Sequence, residues 1–217
     1  MKILDNNIAV LEGDTHISKW VQETRRLDHD EYSLGIILPH LDPGDWVVDG
    51  GAFIGDHTIA YLKAVGPEGK VYAFEPNPAA HSCLCHNCPD AVIFNSGLSD
   101  KEEYVDYLGN SNAGAGHIGH DLGSTHLVTL DSLNLRRCDF LKLDVEGCEY
   151  EALVGAAKTI SYHRPVLWVE VNERALIRRM RNGAQLRKLI ESYGYTLYPH
   201  PEHGGDQYDV LCIPQTS

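Results

Sequence analysis

The chain has 217 residues, 43% of them hydrophobic, enough for one large core, and a single α/β domain with a small N-terminal addition is expected. Its 18 basic residues against 31 acidic ones leave a formal charge of −13, which opposes binding to nucleic-acid backbones and anionic membranes. The N-terminus (Met1-Lys2-Ile3-Leu4-Asp5-Asn6-Asn7) has no apolar signal core, and no run approaches the ~18 apolar residues of a membrane span, so a cytoplasmic location is expected.

Residues 1–40 read as a lead-in segment, with a short strand at Ile8–Leu11 and helices over Ile17–Arg26 and Tyr32–Leu41, the second stopped by Pro43-Gly44. From residue 41 to 217 the pattern is that of one α/β domain. The spacing predicts strand 46–49, helix 56–64, strand 70–74, helix 78–88 and a third strand at Ala91–Asn95, the βα alternation of a parallel sheet. Residues 96–130 break this rhythm with short strands at Tyr104–Leu108 and Leu127–Leu130 around a glycine-rich stretch, Gly109–Gly123, expected to order over a bound ligand. Alternation resumes with strand 139–144, helix 147–157, strand Val166–Glu170, helices across 173–193 and strands 195–198 and Tyr208–Ile213.

The first strand ends in Asp49-Gly50-Gly51-Ala52-Phe53-Ile54-Gly55, a glycine-rich βα turn of the kind that cradles a cofactor. Gly50-x-Ala52-x-x-Gly55 with Glu75 downstream also fits the dinucleotide fingerprint of an oxidoreductase. Asp49 opposes that reading, because a carboxylate beside two phosphates costs of order 1 kcal/mol or more. S-adenosylmethionine carries a sulfonium, an ammonium and ribose hydroxyls, all suited to acids. Glu75 closes the second strand in Ala73-Phe74-Glu75-Pro76-Asn77 and is expected beside Asp49 at the rim of the crevice; the alternative is a carboxylate that only caps the following helix. Asp144 and Glu146 follow the fourth strand and are expected to face the same crevice.

The cysteines of His81-Ser82-Cys83-Leu84-Cys85-His86-Asn87-Cys88 have metal-ligand spacing, but no second ligand cluster accompanies them; small apolar side chains of a helix are the expectation. General-base candidates are His57, His117, His120, Asp144 and Glu146, with His117 and His120 favoured by their place in the glycine-rich stretch.

Taken together, Val47–Gly55, Ala73–Asn77, Thr129–Leu133, Phe140–Gly147 and Arg164–Val171 resemble, in order and spacing, the FkbM-type methyltransferases over roughly residues 41–171. The resemblance implies a class I fold, a seven-stranded, mostly parallel sheet with an antiparallel last strand and helices on both faces. It also implies methyl transfer from S-adenosylmethionine to a hydroxyl. By position, Asp49, Gly50, Gly51, Ala52, Phe53 and Gly55 would form the methionine-side turn and Glu75 with Pro76 the ribose side. Ser96 would lie near the adenine, and Asp144 would face the amino group or the acceptor. The acceptor is expected to be a small hydroxylated molecule such as a sugar or polyketide. A non-catalytic cofactor-binding subunit is the alternative of a different class. Asp144, Glu170 and Asn172 also resemble in part the magnesium ligands of catechol-type O-methyltransferases, although simple hydrogen bonding by Glu170 and Asn172 is the favoured expectation.

Overall fold

The computed structural model of the protein describes residues 1–109, 116–119, 122–200 and 205–215. The chain opens with a hairpin of β1 (Lys2–Ile3) and β2 (Ala9–Val10), followed by helices α1 (Ile17–Thr24) and α2 (Glu31–Ile37). Then come β3 (Trp46–Gly50), α3 (Thr58–Val65), β4 (Lys70–Phe74), α4 (Pro78–Asn87) and β5 (Val92–Phe94). A run of short strands follows: β6 (Gly97–Leu98), β7 (Glu103–Val105), β8 (Tyr107–Leu108), β9 (His117–Ile118) and β10 (Thr125–Val128). The second half holds β11 (Phe140–Leu143), α5 (Glu149–Val154), α6 (Ala157–His163), β12 (Val166–Asn172), α7 (Glu173–Arg178), α8 (Gly183–Ser192), β13 (Tyr195–His200) and β14 (Gln207–Pro214).

The main sheet has seven strands in the order β13-β14-β12-β11-β3-β4-β5, with β14 antiparallel to both neighbours and the rest parallel. The class I methyltransferase topology is thus present, with its reversed last strand. The central strands β3, β11 and β12 are buried on both faces, as helices on both sides require. One face carries Val48, Leu141, Leu143, Leu167, Val169 and Val210 into a core with α5 and α8. The other packs Val47, Val71, Phe140, Trp168 and Leu211 against α2 and α3 through Leu34, Ile37, Tyr61 and Val65.

The first forty residues are part of this packing. Val10, Leu11 and Val21 share a buried cluster with Phe53, Ile54, Ala80 and Cys83, and the Asn87 side chain ties β2 to the turn after β3, through Ala9 and the carbonyl of Ile54. The lead-in therefore packs against the turn after β3 and against α4.

Three elements differ from the sequence expectation. The helix expected over 147–157 is two helices, α5 and α6, broken at Gly155, where the backbone meets another segment: a Cβ there would lie 1.9 Å from the carbonyl oxygen of Ser99. The strand expected over 104–108 divides into β7, paired with β10, and β8, paired with β9. Helix α2 ends at Ile37 in a 3-10 turn, Leu38–His40, ahead of Pro43-Gly44. Of the stretch expected to order over a ligand, residues 110–115, 120 and 121 lie outside the described residues. No helix among the described residues is long and apolar enough to cross a membrane.

Candidate active site

Strand order reverses between β3 and β11, and a sheet of this kind leaves a ligand crevice at that switch point, beyond the carboxyl ends of the strands. A cavity of about 610 Å³ opens there. Its walls come from the turn after β3 (Gly51, Phe53, Asp56, His57), the ends of β4 and β11 (Glu75, Pro76, Asp144, Val145, Glu146) and the segment Gly97–Leu98. Glu170 and Asp209 on β12 and β14, His117 on β9, and Asp30, Glu31 and Tyr32 at the start of α2 complete it.

The glycine turn is built by close backbone approach. Gly51 has φ +79°, and a Cβ on it would lie 1.8 Å from the carbonyl oxygen of Asp144, so only glycine lets the two loops meet. Phe53 follows at φ +46°, a strained value for a side chain of its size, held by its amide donating to Glu75 Oε2 at 2.9 Å. The other carboxylate oxygen of Glu75 accepts from the amide of Asn77 at 2.7 Å, at the start of α4. Glu75 thus braces two loops while its carboxylate forms part of the wall. Burial pushes its carboxyl up to about 7, against the two amide donors that favour the ionised form.

Several expected residues stand elsewhere. Asp49 is fully buried and does not reach the cavity wall. It points to the sheet face of Lys142, its register partner on β11, accepts from the hydroxyl of Thr58 at 2.6 Å and lies 3.5 Å from the Lys142 ammonium. It is a support beneath the crevice, one residue short of the strand's end. Gly50, Ala52 and Gly55 are also off the wall; a Cβ on Gly55 would lie 2.6 Å from Cys88 Sγ, so its role is the packing of α4 against the turn. Ser96 is buried behind the wall that Gly97 and Leu98 form.

Lys142 is the residue sequence reasoning missed. It is 3% exposed, donates to the carbonyl of Gly51 at 3.2 Å and stands 3.4 Å from Asp144. Burial alone would lower its pKa, but Asp144, Asp49 and Asp56 hold it above the usual lysine range, so it stays charged. Its signal was a lone cation in the apolar run Phe140-Leu141-Lys142-Leu143, which demands a buried carboxylate partner.

The loop after β11 is tied by Glu149, whose Oε1 accepts from the amides of Val145 and Gly147 at 3.0 and 3.1 Å. This holds Glu146 at φ +54° on the cavity wall, where burial, with Asp144 and Glu149 nearby, pushes its carboxyl up to about 8. His57 is buried with both ring nitrogens engaged: Nδ1 lies 3.0 Å from the Tyr61 hydroxyl and Nε2 3.3 Å from Asp30 Oδ2. Burial would lower its pKa, yet the Asp30 bond raises it. Burial likewise opposes ionisation of Asp30, but bonds from His57 and from Ser33 hold its carboxyl well below the usual range. The pair fastens α2 to α3. His117 is different: burial, then Arg178 and Arg179, lower its pKa, so it is neutral and available as a proton acceptor. His120 lies outside the described residues.

The magnesium trio does not assemble. Asn172 uses its side-chain oxygen to cap α7, accepting from the amide of Ala175 at 3.2 Å, and it is absent from the wall that Glu170 joins. No group of three or more His, Cys, Asp or Glu side chains suited to a metal ion occurs among the described residues. The cysteine cluster is not a ligand set either: Cys83 and Cys88 are buried in two different apolar clusters, and Cys85 is exposed beside His81.

A sequence profile described as the methyltransferase FkbM domain matches residues 49–133 and 124–197. The chain belongs to the FkbM methyltransferase family. It is 29% identical to "Methyltransferase 1" of Beauveria bassiana (strain ARSEF 2860), over 51% of this chain and 57% of that protein, so it spans a little over half the length of this curated relative. Among solved structures it is similar to the methyltransferase FkbM of Methylobacillus flagellatus KT, with a TM-score of 0.52 at 17% identity over 79% of this chain and 44% of that one. A precorrin-6y C5,15-methyltransferase from Geobacter metallireducens GS-15 matches end to end, with a TM-score of 0.53 at 12% identity over 97% and 96% of the two chains. At these identities the structural likeness speaks for the fold.

Proposed function

We propose that the protein binds S-adenosylmethionine in this crevice and methylates a hydroxyl of a small acceptor, a sugar or polyketide being the expected class. The observation that carries the reading is the chemistry of the wall: eight carboxylates face the cavity among the described residues, against a single lysine and no arginine. Such a wall repels a pyrophosphate and suits a ligand with a sulfonium, an ammonium and ribose hydroxyls. Glu75 would hold the ribose hydroxyls through its remaining lone pairs, with Pro76, Gly97 and Leu98 forming the apolar wall beside it. Gly51 supplies the close backbone approach, and Asp144 would meet the ammonium.

When bound, S-adenosylmethionine supplies an electrophilic methyl group, which the acceptor oxygen takes as the carbon–sulfur bond breaks, leaving a methyl ether, S-adenosylhomocysteine and one proton. The chain's task is to orient the acceptor and take that proton. His117 is the base this geometry supports, being neutral and on the wall. His57 has no ring nitrogen free, and Glu146, pushed up to about 8, is largely protonated at neutral pH. No step is assigned to a metal, because Asn172 is committed to α7.

Calorimetry with S-adenosylmethionine, S-adenosylhomocysteine and NAD tests the donor site. Binding of both adenosyl ligands is expected; affinity for NAD with neither adenosyl ligand bound overturns the reading. His117→Asn tests the base: donor affinity should hold while turnover falls by roughly 10²-fold or more, and unchanged turnover removes His117 from the role.

A further inference from the structure

The end of the crevice away from the glycine turn carries acids that the donor does not need. Along β12, Trp168 and Glu170 are two apart and share one face, and both stand on the cavity wall. Directly across from Glu170 in the antiparallel ladder is Asp209 of β14, also on the wall. Like charges placed opposite one another on neighbouring strands destabilise a sheet. Glu170 is 6% exposed; its Oε1 accepts from the Gln207 side chain at 2.6 Å, while Oε2, fully buried, has no hydrogen-bond partner. Lys142, the one lysine on the wall, is already matched to Asp49, Asp144 and the carbonyl of Gly51. A buried carboxylate oxygen without a donor costs free energy, and nothing in the sheet recovers it.

The geometry points to an acceptor that carries a protonated primary amine beside the hydroxyl to be methylated, an amino sugar, aminocyclitol or amino alcohol, with its ammonium seated between Glu170 and Asp209. This rests on the methyltransferase reading and narrows its substrate class. An ammonium has three N–H donors: one satisfies Glu170 Oε2 and a second the Asp209 carboxylate. Burial pushes both carboxyls upward, Asp209 to about 7, and an ammonium seated between them would favour the ionised form of each. Two carboxylates and an amide donor make a poor cage for a metal ion but a good seat for an alkylammonium.

The test is calorimetry on the full chain saturated with S-adenosylhomocysteine. Glucosamine, galactosamine and 2-amino-1,3-propanediol are each titrated against their N-acetyl forms, and magnesium chloride is titrated alone. At least one amine should bind about tenfold or more tightly than its N-acetyl form. Glu170→Gln and Asp209→Asn should each erase that preference while the affinity for S-adenosylhomocysteine holds. Equal binding of amine and N-acetyl forms, no binding of any amine, or magnesium binding that both variants abolish overturns the proposal and leaves the donor reading standing. Failure of S-adenosylhomocysteine itself to bind removes the donor reading and this inference with it. Because removing a buried like charge should stabilise the sheet, melting temperatures of both variants at or above the parent's confirm that they fold; a marked drop in both would assign the pair to structure and overturn the proposal.

Discussion

The two ends of the crevice treat buried acid differently. Beneath and beside the glycine turn, Asp49 accepts from the Thr58 hydroxyl with one oxygen, its other oxygen, without a hydrogen-bond partner, lies 3.5 Å from the Lys142 ammonium, and Glu75 is held by two backbone amides. At the β12–β14 end, Glu170 keeps one oxygen without a donor and faces a second acid. In the first region every carboxylate has a cation or backbone donor of the chain beside it. In the second the charge is unmatched by the protein, which marks a place where a ligand supplies what the fold does not. Coulomb attraction in a partly dry cavity is strong enough for this distinction to govern both stability and selectivity.

The largest effect should come from removing the cation that serves the first region. Lys142→Met leaves Asp49 buried beside no opposite charge, a change worth roughly 3–5 kcal/mol. Chemical denaturation should show that loss, and the variant's donor affinity should fall with it. A loss below about 1 kcal/mol would mean that Thr58 alone satisfies Asp49, and the contrast between the two ends would dissolve.

Next in size is Glu75→Ala, which removes the carboxylate proposed for the ribose and should weaken S-adenosylhomocysteine binding by about 1.5–3 kcal/mol. The geometry adds a second consequence, since the amides of Phe53 and Asn77 lose their acceptor and the melting temperature should drop as well. A lower melting temperature with unchanged ligand affinity would leave Glu75 as a brace only.

Much of this was legible before the structure. The β-branched and aromatic runs at Trp46–Val48 and Lys70–Phe74 and the turn residues after them fixed where strands ended, and strand ends are where such sheets bind ligands. What failed was depth. Asp49 precedes the glycines in sequence, but it lies in the ladder opposite Ala73 and Lys142, below the rim, and only the register between distant strands reveals that. The same long-range register pairs Glu170 with Asp209, residues 39 positions apart in the chain, so the acidic seat had no local signature. The lead-in segment was opaque for another reason. Its contribution, Asp30 bonded to His57 at 3.3 Å, is a contact between elements whose sequences carry no sign of each other.

A third way to sharpen the comparison is pH. Glu146 is raised from 4.5 to about 8, Asp209 from 3.8 to about 7, and Glu75 and Glu149 from 4.5 to about 7. Between those limits the folded chain binds more protons than the unfolded one, so stability falls as pH rises. His57 acts in the same direction: its folded value is raised above 6.5, so its contribution is complete below that pH and lost above. Melting temperature should therefore decline from about pH 5 to about pH 8. Asp209→Asn should flatten that slope more than the mutation of an exposed acid such as Glu68, and an identical slope would deny Asp209 its share.

The smallest expected effect separates neighbours on one strand. Asn172 ends β12 two residues beyond Glu170, and alternation would point both side chains the same way, yet the strand finishes at Asn172 and its side chain turns to the first amides of α7. Removing such a cap costs about 1 kcal/mol. Asn172→Ala should show that loss in denaturation while donor affinity and turnover in excess chelator match those of the parent. If instead the variant loses activity that magnesium restores in the parent after chelation, Asn172 belongs to the site and the second region binds metal. The pair of results, a stability loss confined to Asn172 and an affinity loss confined to Glu170, would place the boundary between fold and site within three residues of one strand.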